Sequence, residues 1–257
     1  EKEKQSEMER DKEAGRRKRF AELDANSRSH NAYYFTDFLT VAEASGVYDV
    51  ADAADITIFG GSSDAERVMI RFGNAKSFGY EQDFPIVLLK IAPRAAKFAD
   101  DLSHRDFLGT LMGLGIERDV IGDIFVVDST AYVFVAERMA DYIIENVLTV
   151  RHTSVSAERI DALPPEAAPK LASEELIVAS ERIDGIIAKL YHMSRETTRR
   201  MFVKEQVLIA GRVVTNPSLL PKEGAVISVR GHGKFIYDGM LRATKKGNTV
   251  VTVRRYV

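Results

Sequence analysis

Residues 181–233 constrain the fold more than any other part of the chain. They read ERIDGIIAKLYHMSRETTRRMFVKEQVLIAGRVVTNPSLLPKEGAVISVRGHG. Ser194 follows an apolar, helix-like run and suits an N-cap, because its hydroxyl can accept a bond from an orphan backbone N–H. A short helix over residues 195–205 is expected. At ~100° per residue, Arg195, Arg199, Arg200 and Lys204 fall on one arc of it, while Thr198, Met201 and Phe202 occupy the other. Arg195/Arg199 and Arg200/Lys204 are i,i+4 pairs of like charge, which repel on an isolated helix. A dense anion across that face turns the repulsion into attraction, and a phosphate backbone is the usual dense anion. Beyond the helix, VLIAGRVV reads as two short β runs about Ala210-Gly211. Asn216-Pro217 then turns, and residues 225–230 alternate as a further strand.

Charge is distributed to match. The chain of 257 residues has a net charge of −2, with 36 Lys+Arg and 38 Asp+Glu. From Lys170 onward there are 16 basic and 8 acidic residues, a balance of +8, so the remainder carries −10. Such a split places a basic nucleic-acid module on an acidic body. There is no cysteine, so disulfides, thiolate metal sites and a Cys nucleophile are excluded. The five histidines are scattered, with no ligand-spaced pair, so neither a metal nor any other cofactor is expected. No apolar run approaches ~18 residues, so no membrane span is expected. No signal peptide is visible at the start, which suits the cytosol.

Upstream, residues 1–23 are highly charged and read as an exposed helix bearing the basic knot Arg16-Arg17-Lys18-Arg19. Thr36 is a candidate N-cap for an amphipathic helix ended at Gly46. ITIFGGSSDAERVMIRFG reads as strand, Gly-Gly turn, short helix or loop, and strand. Gly60-Gly61 lacks the lysine and spacing of a phosphate loop, so a structural turn is favoured. IVLLKIAP, after Pro85, suits a central strand. Ser103 caps a helix whose core face is Phe107, Leu108, Leu111, Met112 and Leu114. IGDIFVVD and AYVFVAE are strands, RMADYIIENVLTV a helix, and HTSVSAERI a last strand. The order β-α-β-β-α-β is that of ferredoxin-like and RNA-recognition-motif domains. Tyr132 and Phe134 are better read as core than as base-stacking platforms. Residues 163–170, LPPEAAPK, read as a stiff, extended linker. FIYDGMLRATKKGNTVVTVRRYV reads as a β-hairpin turning at Lys245-Lys246-Gly247-Asn248.

The fold expected is therefore α+β. It comprises a small N-terminal α/β region (residues 1–80), a central ferredoxin-like domain (81–162), a linker (163–170) and a basic C-terminal domain (171–257).

Arg182, Asp184, Ser194, Arg195, Gly211, Val213, Val214, Pro217, Gly224, Ile227 and Val229 carry a resemblance to the alpha-L RNA-binding motif, the S-four domain. Two places depart from its pattern. Glu205-Gln206 stands where the family often has Gly-Arg, which removes a cation and adds an anion. Ala210-Gly211 stands where Asn-Gly is frequent. Over residues 34–256 the order of FGGSSDAERVMIRF, LSHRDFLGTLMGLGI and TKKGNTVVTVRRY resembles the YlmH family of S-four proteins, whose cyanobacterial and plastid relatives are called photosystem II S-four domain proteins.

The resemblance implies a non-catalytic RNA-binding protein on rRNA and tRNA of the large ribosomal subunit, in quality control of stalled peptidyl-tRNA. It implies a cytoplasmic protein, and a monomer is expected. The expected RNA-binding residues are Ser194, Arg195, Thr198, Arg199, Arg200, Lys204, Arg212, Arg230, Lys234, Lys245 and Lys246, with His104 and Arg105 as a second foothold.

The alternative is an RNA-modifying enzyme, akin to a pseudouridine synthase or a methyltransferase, with a site in the first two domains. The residues speak against familiar forms of it. His104-Arg105-Asp106 lacks the rest of a kinase loop, and no catalytic residue is assigned. Arg182-Ile183-Asp184 belongs to the alpha-L helix rather than to a synthase β domain. No glycine-rich cofactor loop follows a strand. Asp100-Asp101, Asp106 and Asp123 suit caps and surface better than acid/base work.

Overall fold

The computed structural model describes residues 2–62, 64–209, 211–244 and 247–256, except for the side chains of residues 2–9 and Phe98. The chain forms two compact units, Glu1–Ala168 and Pro169–Val257.

The first unit begins with helix α1, Lys2–His30. It runs beyond the charged segment expected to be exposed, because Phe20, Leu23 and Ser27 recur at i, i+3 and i+7 and are buried. The basic knot is largely neutralised locally: Arg16 pairs with Glu43 at 3.2 Å, and Arg17 with Glu13 at 2.7 Å and Asp49 at 3.2 Å. Short strands β1 (Tyr34–Phe35) and β2 (Leu39–Thr40) precede helix α2 (Val41–Ala44).

The N-cap of α2 is Thr40, not Thr36. Thr40 has Glu43 three residues on and closes a capping box with it, whereas the third residue after Thr36 is Leu39. The Thr36 hydroxyl instead accepts from the Ile70 N–H at 2.9 Å. Strands β3 (Ile56–Phe59) and β4 (Arg67–Phe72) are antiparallel, and β4 also pairs with β1 and β2. Gly60-Gly61 is a structural turn. A Cβ on Gly61, whose φ is +97°, would overlap the Phe134 ring. Helix α3, Ala75–Phe78, is capped by Asn74.

The rest of this unit is a second sheet: β5 (Ile86–Pro93), β6 (Ile121–Val127), β7 (Thr130–Ala136), β8 (Thr149–Val150) and β9 (Thr153–Ile160). Helix α4, His104–Gly113, lies between β5 and β6, and α5, Glu137–Asn146, between β7 and β8. The antiparallel order β6-β7-β5-β9, with β8 beyond, is the ferredoxin-like arrangement expected, with apolar β5 at its centre. Leu89, Ile91, Val133 and Val135 form the core with Phe107, Leu111, Ala140 and Ile143. Tyr132 and Phe134 are 7% and 6% exposed, so they pack rather than present faces to a base.

The proline-bearing segment is not extended throughout. The N–H groups of Ala167 and Ala168 donate to Pro164 O, and Ala167 is buried in the first unit's core.

The second unit opens with strand β10, Leu171–Val178. Helices α6 (Ile183–Leu190) and α7 (Arg195–Val203) follow. Then come β11 (Val207–Ile209), β12 (Arg212–Val213), β13 (Ala225–Val229), β14 (Gly233–Ala243) and β15 (Thr249–Tyr256). The sheet order is β10-β15-β14-β13-β11-β12, with β14 and β15 forming the expected hairpin. Ile183, Ile186, Ile187, Met201 and Phe202 pack on Phe235, Val251 and Val253. The protein is thus α+β, and no helix of the described residues is long and apolar enough to cross a membrane.

Candidate nucleic-acid interface

The second unit's two helices are fixed by one buried carboxylate. Asp184, 2% exposed, accepts from Arg182 Nε at 3.1 Å and Nη2 at 3.0 Å, and from the Gly185 N–H at 2.9 Å. Arg199 Nε of α7 lies 4.0 Å from the same carboxylate. Its position in the first turn of α6 also suits the helix dipole. One anion in the core therefore aims two guanidinium groups, Arg182 from the start of α6 and Arg199 from α7. Both belong to the segment read from sequence, but Arg182 was read as a motif residue and not as part of the surface.

Ser194 caps α7 as expected, its hydroxyl accepting from the Thr197 N–H at 3.0 Å. Arg195 and Lys204 are exposed, and neither makes an ion pair among the described residues. Arg195 also borders a shallow groove of about 230 Å³ lined by Ile177, Val178, Gly185, Ala188, Lys189 and Met193. Arg200 is exposed but paired with Glu196 at 2.5 Å, an i,i+4 contact that offsets part of its charge.

Thr198 must be withdrawn from the expected surface. It is 0% exposed and donates its hydroxyl to Ser194 O at 3.1 Å, so it supports the helix from its buried side. Arg212 is exposed at the start of β12, and Arg230 is exposed on the β13–β14 turn. Lys234 is half-buried, 4.3 Å from the Tyr256 ring centroid. Lys245 and Lys246 lie outside the described residues.

The departure at Glu205 has a backbone reason. Glu205 follows α7 with φ +54°, and the next N–H, of Gln206, donates to Met201 O. Glycine takes that left-handed conformation without steric cost, which explains why a glycine suits the site. Glu205→Gly is expected to raise the unit's stability by about 1 kcal/mol. Removing the exposed anion should also strengthen RNA binding. Urea titration and gel shifts check the two effects; unchanged midpoints would show that the strained φ costs nothing here.

In the first unit, His104 and Arg105 are exposed on the first turn of α4, and no ion pair to Arg105 exists among the described residues. Between them and the helix core, Asp106 closes a capping box with Ser103, whose hydroxyl and N–H lie 2.6 and 2.9 Å away. The Ser103 hydroxyl, then its N–H, hold the Asp106 carboxyl below its ordinary range, with the charges of Arg151 and Arg105 assisting. A depressed carboxylate stabilises the fold above its unfolded pKa, and that contribution is lost as pH falls through the folded value. The protection of the Phe107 amide and its neighbours, relative to the free-chain exchange rate at the same pH, should therefore fall at acid pH. Asp106→Asn should show the lower protection already at neutral pH. A variant with wild-type exchange at both pH values would refute the capping role.

Two of the other carboxylates weighed as acid/base groups hold backbone N–H groups of the fold, and Asp101 is exposed. Asp123 accepts from the N–H groups of Glu66 and Arg67, joining β4 to β6. Asp100 accepts from the His152 N–H at 3.3 Å. Arg67 Nε donates to Ile121 O at 2.8 Å, and Arg118 Nη1 to the same oxygen at 2.5 Å. Burial, then the charge of Arg67, lowers Arg118 to about 10. This cluster of perturbed groups is saturated with backbone carbonyls and braces the two sheets. Among the described residues no three His, Cys, Asp or Glu side chains are grouped to hold a metal.

A capped basic helix against an antiparallel sheet, in a chain that also has a ferredoxin-like domain, is the fold expected of the S-four class of RNA-binding proteins. The comparisons make this specific. Residues 80–163 match the family described as "Putative RNA-binding domain in YlmH". The chain is 30% identical over 224 residues to the ribosome-associated protein quality control protein P2 of Bacillus subtilis (strain 168), covering 86% of each. A solved structure, the cell division protein ylmH from Streptococcus pneumoniae, aligns with a TM-score of 0.47 at 20% identity, covering 58% of this chain and 92% of that one. The chain belongs to the YlmH family.

Proposed function

We propose that this protein is a non-catalytic RNA-binding factor that associates with the large ribosomal subunit, touching rRNA and tRNA, in quality control of stalled peptidyl-tRNA complexes. It works as a monomer in the cytoplasm. The observation that carries the reading is the exposed cationic face of α7, built on the buried Asp184 and coupled to the basic balance of +8 from Lys170 onward. A surface that makes several phosphate contacts gives binding that falls steeply with salt. The relative's name, with its ribosome-associated quality control, supports the setting. His104 and Arg105 supply a second, weaker foothold from the central domain.

The modifying-enzyme alternative needs a cleft of perturbed acid and base groups. The perturbed groups of the first unit are instead occupied in bracing the fold, which favours the non-catalytic reading. The test is sedimentation of the purified protein with split large subunits that retain peptidyl-tRNA. Comigration at low salt, lost as salt rises, is expected. Comigration with small subunits alone, or none at any salt, would overturn the reading.

A further inference from the structure

The turn between β13 and β14 presents an aromatic ring among cations, outside the basic face of α7. Val229 and Gly233 are paired across the turn, and the His232 N–H donates to Val229 O at 2.9 Å. Gly231 and Gly233, at φ +83° and +113°, let the chain reverse tightly and leave His232 exposed at its tip. The His232 ring lies 5.6 Å from the Tyr191 ring, centroid to centroid. Tyr191 in turn meets buried Phe235 edge-on at 6.3 Å. The Tyr191 hydroxyl is buried and has no hydrogen-bond partner among the described residues, and its ring packs between His232 and Phe235. A row of rings thus runs from the core to the surface and props the exposed imidazole of His232.

Cations flank it. Arg230 is exposed two residues before His232. Arg255 is exposed directly across the sheet from Phe235, on the face that Phe235 shares with Tyr191. Residues 224–237 contain no Asp or Glu.

We propose that this turn is a stacking site for one unpaired nucleotide of a structured RNA, the base lying on His232 and the adjoining phosphates on Arg230 and Arg255. This rests on the RNA-binding reading above and adds to it a preference for RNA with an unpaired loop. An apolar pocket would suit a protein side chain; an exposed, propped ring with one cation on its own turn and another on the facing strand suits a base with its phosphates. The two sites divide the work: α7 meets the backbone, and the β13–β14 turn selects unstacked bases.

The test uses the full-length protein and two RNA probes of equal length, a hairpin with an eight-nucleotide loop carrying 2-aminopurine and a fully paired duplex. The wild type should bind the hairpin more tightly and change the 2-aminopurine fluorescence on binding. His232→Ala should weaken hairpin binding about tenfold, in line with base–aromatic stacking, and leave duplex binding unchanged. His232→Phe should retain hairpin binding and the fluorescence change, which a merely structural role for the histidine would not predict. Arg230→Gln and Arg255→Gln should each lower the salt dependence of hairpin binding.

Equal affinity of the wild type for both probes, unchanged by His232→Ala, would overturn this site while leaving RNA binding intact. Binding to neither probe would overturn both. Loss of deca-aspartate binding in His232→Ala, with hairpin binding unaffected, would assign the turn to an acidic protein partner and overturn the nucleotide site.

Discussion

Replacing Asp184 by alanine is expected to destabilise the C-terminal unit by about 2–4 kcal/mol. The carboxylate is buried and satisfies both donors of one edge of Arg182, as well as the Gly185 N–H. Its loss strands these donors at the start of α6. The figure lies below that for a fully buried pair because the Arg182 side chain is 37% exposed and can recover water. For a unit of this size the shift corresponds to roughly 8–30 °C in melting temperature. Calorimetry should show one transition moving while the other stays. Asp184→Asn, which keeps an acceptor but not the charge, should fall between. A melting profile identical to wild type would show that the cluster does not hold the helices. RNA binding should fall with the fold, because Arg182 and Arg199 lose their common anchor.

The second large effect is on binding, beyond any stability that Arg199 lends through Asp184. Reversing Arg195 and Arg199 together to glutamate should reduce RNA affinity by orders of magnitude at low salt, and lower the log–log salt slope by about 2. The same change at Arg16 and Arg17 should do little to RNA binding. Those two arginines already sit 3.2 Å from Glu43 and 2.7 Å from Glu13, so their fields are largely spent inside the first unit. Arg195 makes no such pair among the described residues. Gel-shift titrations at several salt concentrations compare the two variants. Equal losses would mean that diffuse charge, not a shaped face, binds the RNA.

Much of this architecture was legible in the sequence, for identifiable reasons. The ferredoxin-like order could be read because β5 is almost wholly apolar and Ser103 and Asp106 spell a capping box. The α7 helix could be read because Ser194 caps it and its apolar and basic residues separate at helical spacing. Strand β10 was not anticipated: LASEELIV alternates weakly, and its place is set by pairing along the whole length of β15, from Leu171 opposite Tyr256 to Val178 opposite Thr249. The true cap at Thr40 was missed because Thr36 precedes the more obvious apolar run, while the decisive signal was Glu43.

Within the candidate site, Thr198 was misplaced although its helical phase already puts it on the side of Met201 and Phe202, both buried. The roles of Asp184 and His232 are tertiary. One requires a guanidinium from each of two helices, and the other a ring contributed by Tyr191, so neither is written in local spacing.

Crosslinking the protein to RNA in living cells, followed by sequencing of the bound RNA, tests the central claim most directly. The account predicts crosslinks to large-subunit rRNA and to tRNA. It also predicts that Arg195→Glu with Lys204→Glu removes them while the protein remains folded. Crosslinks confined to messenger RNA or small-subunit rRNA, or a pattern unchanged in that variant, would contradict it.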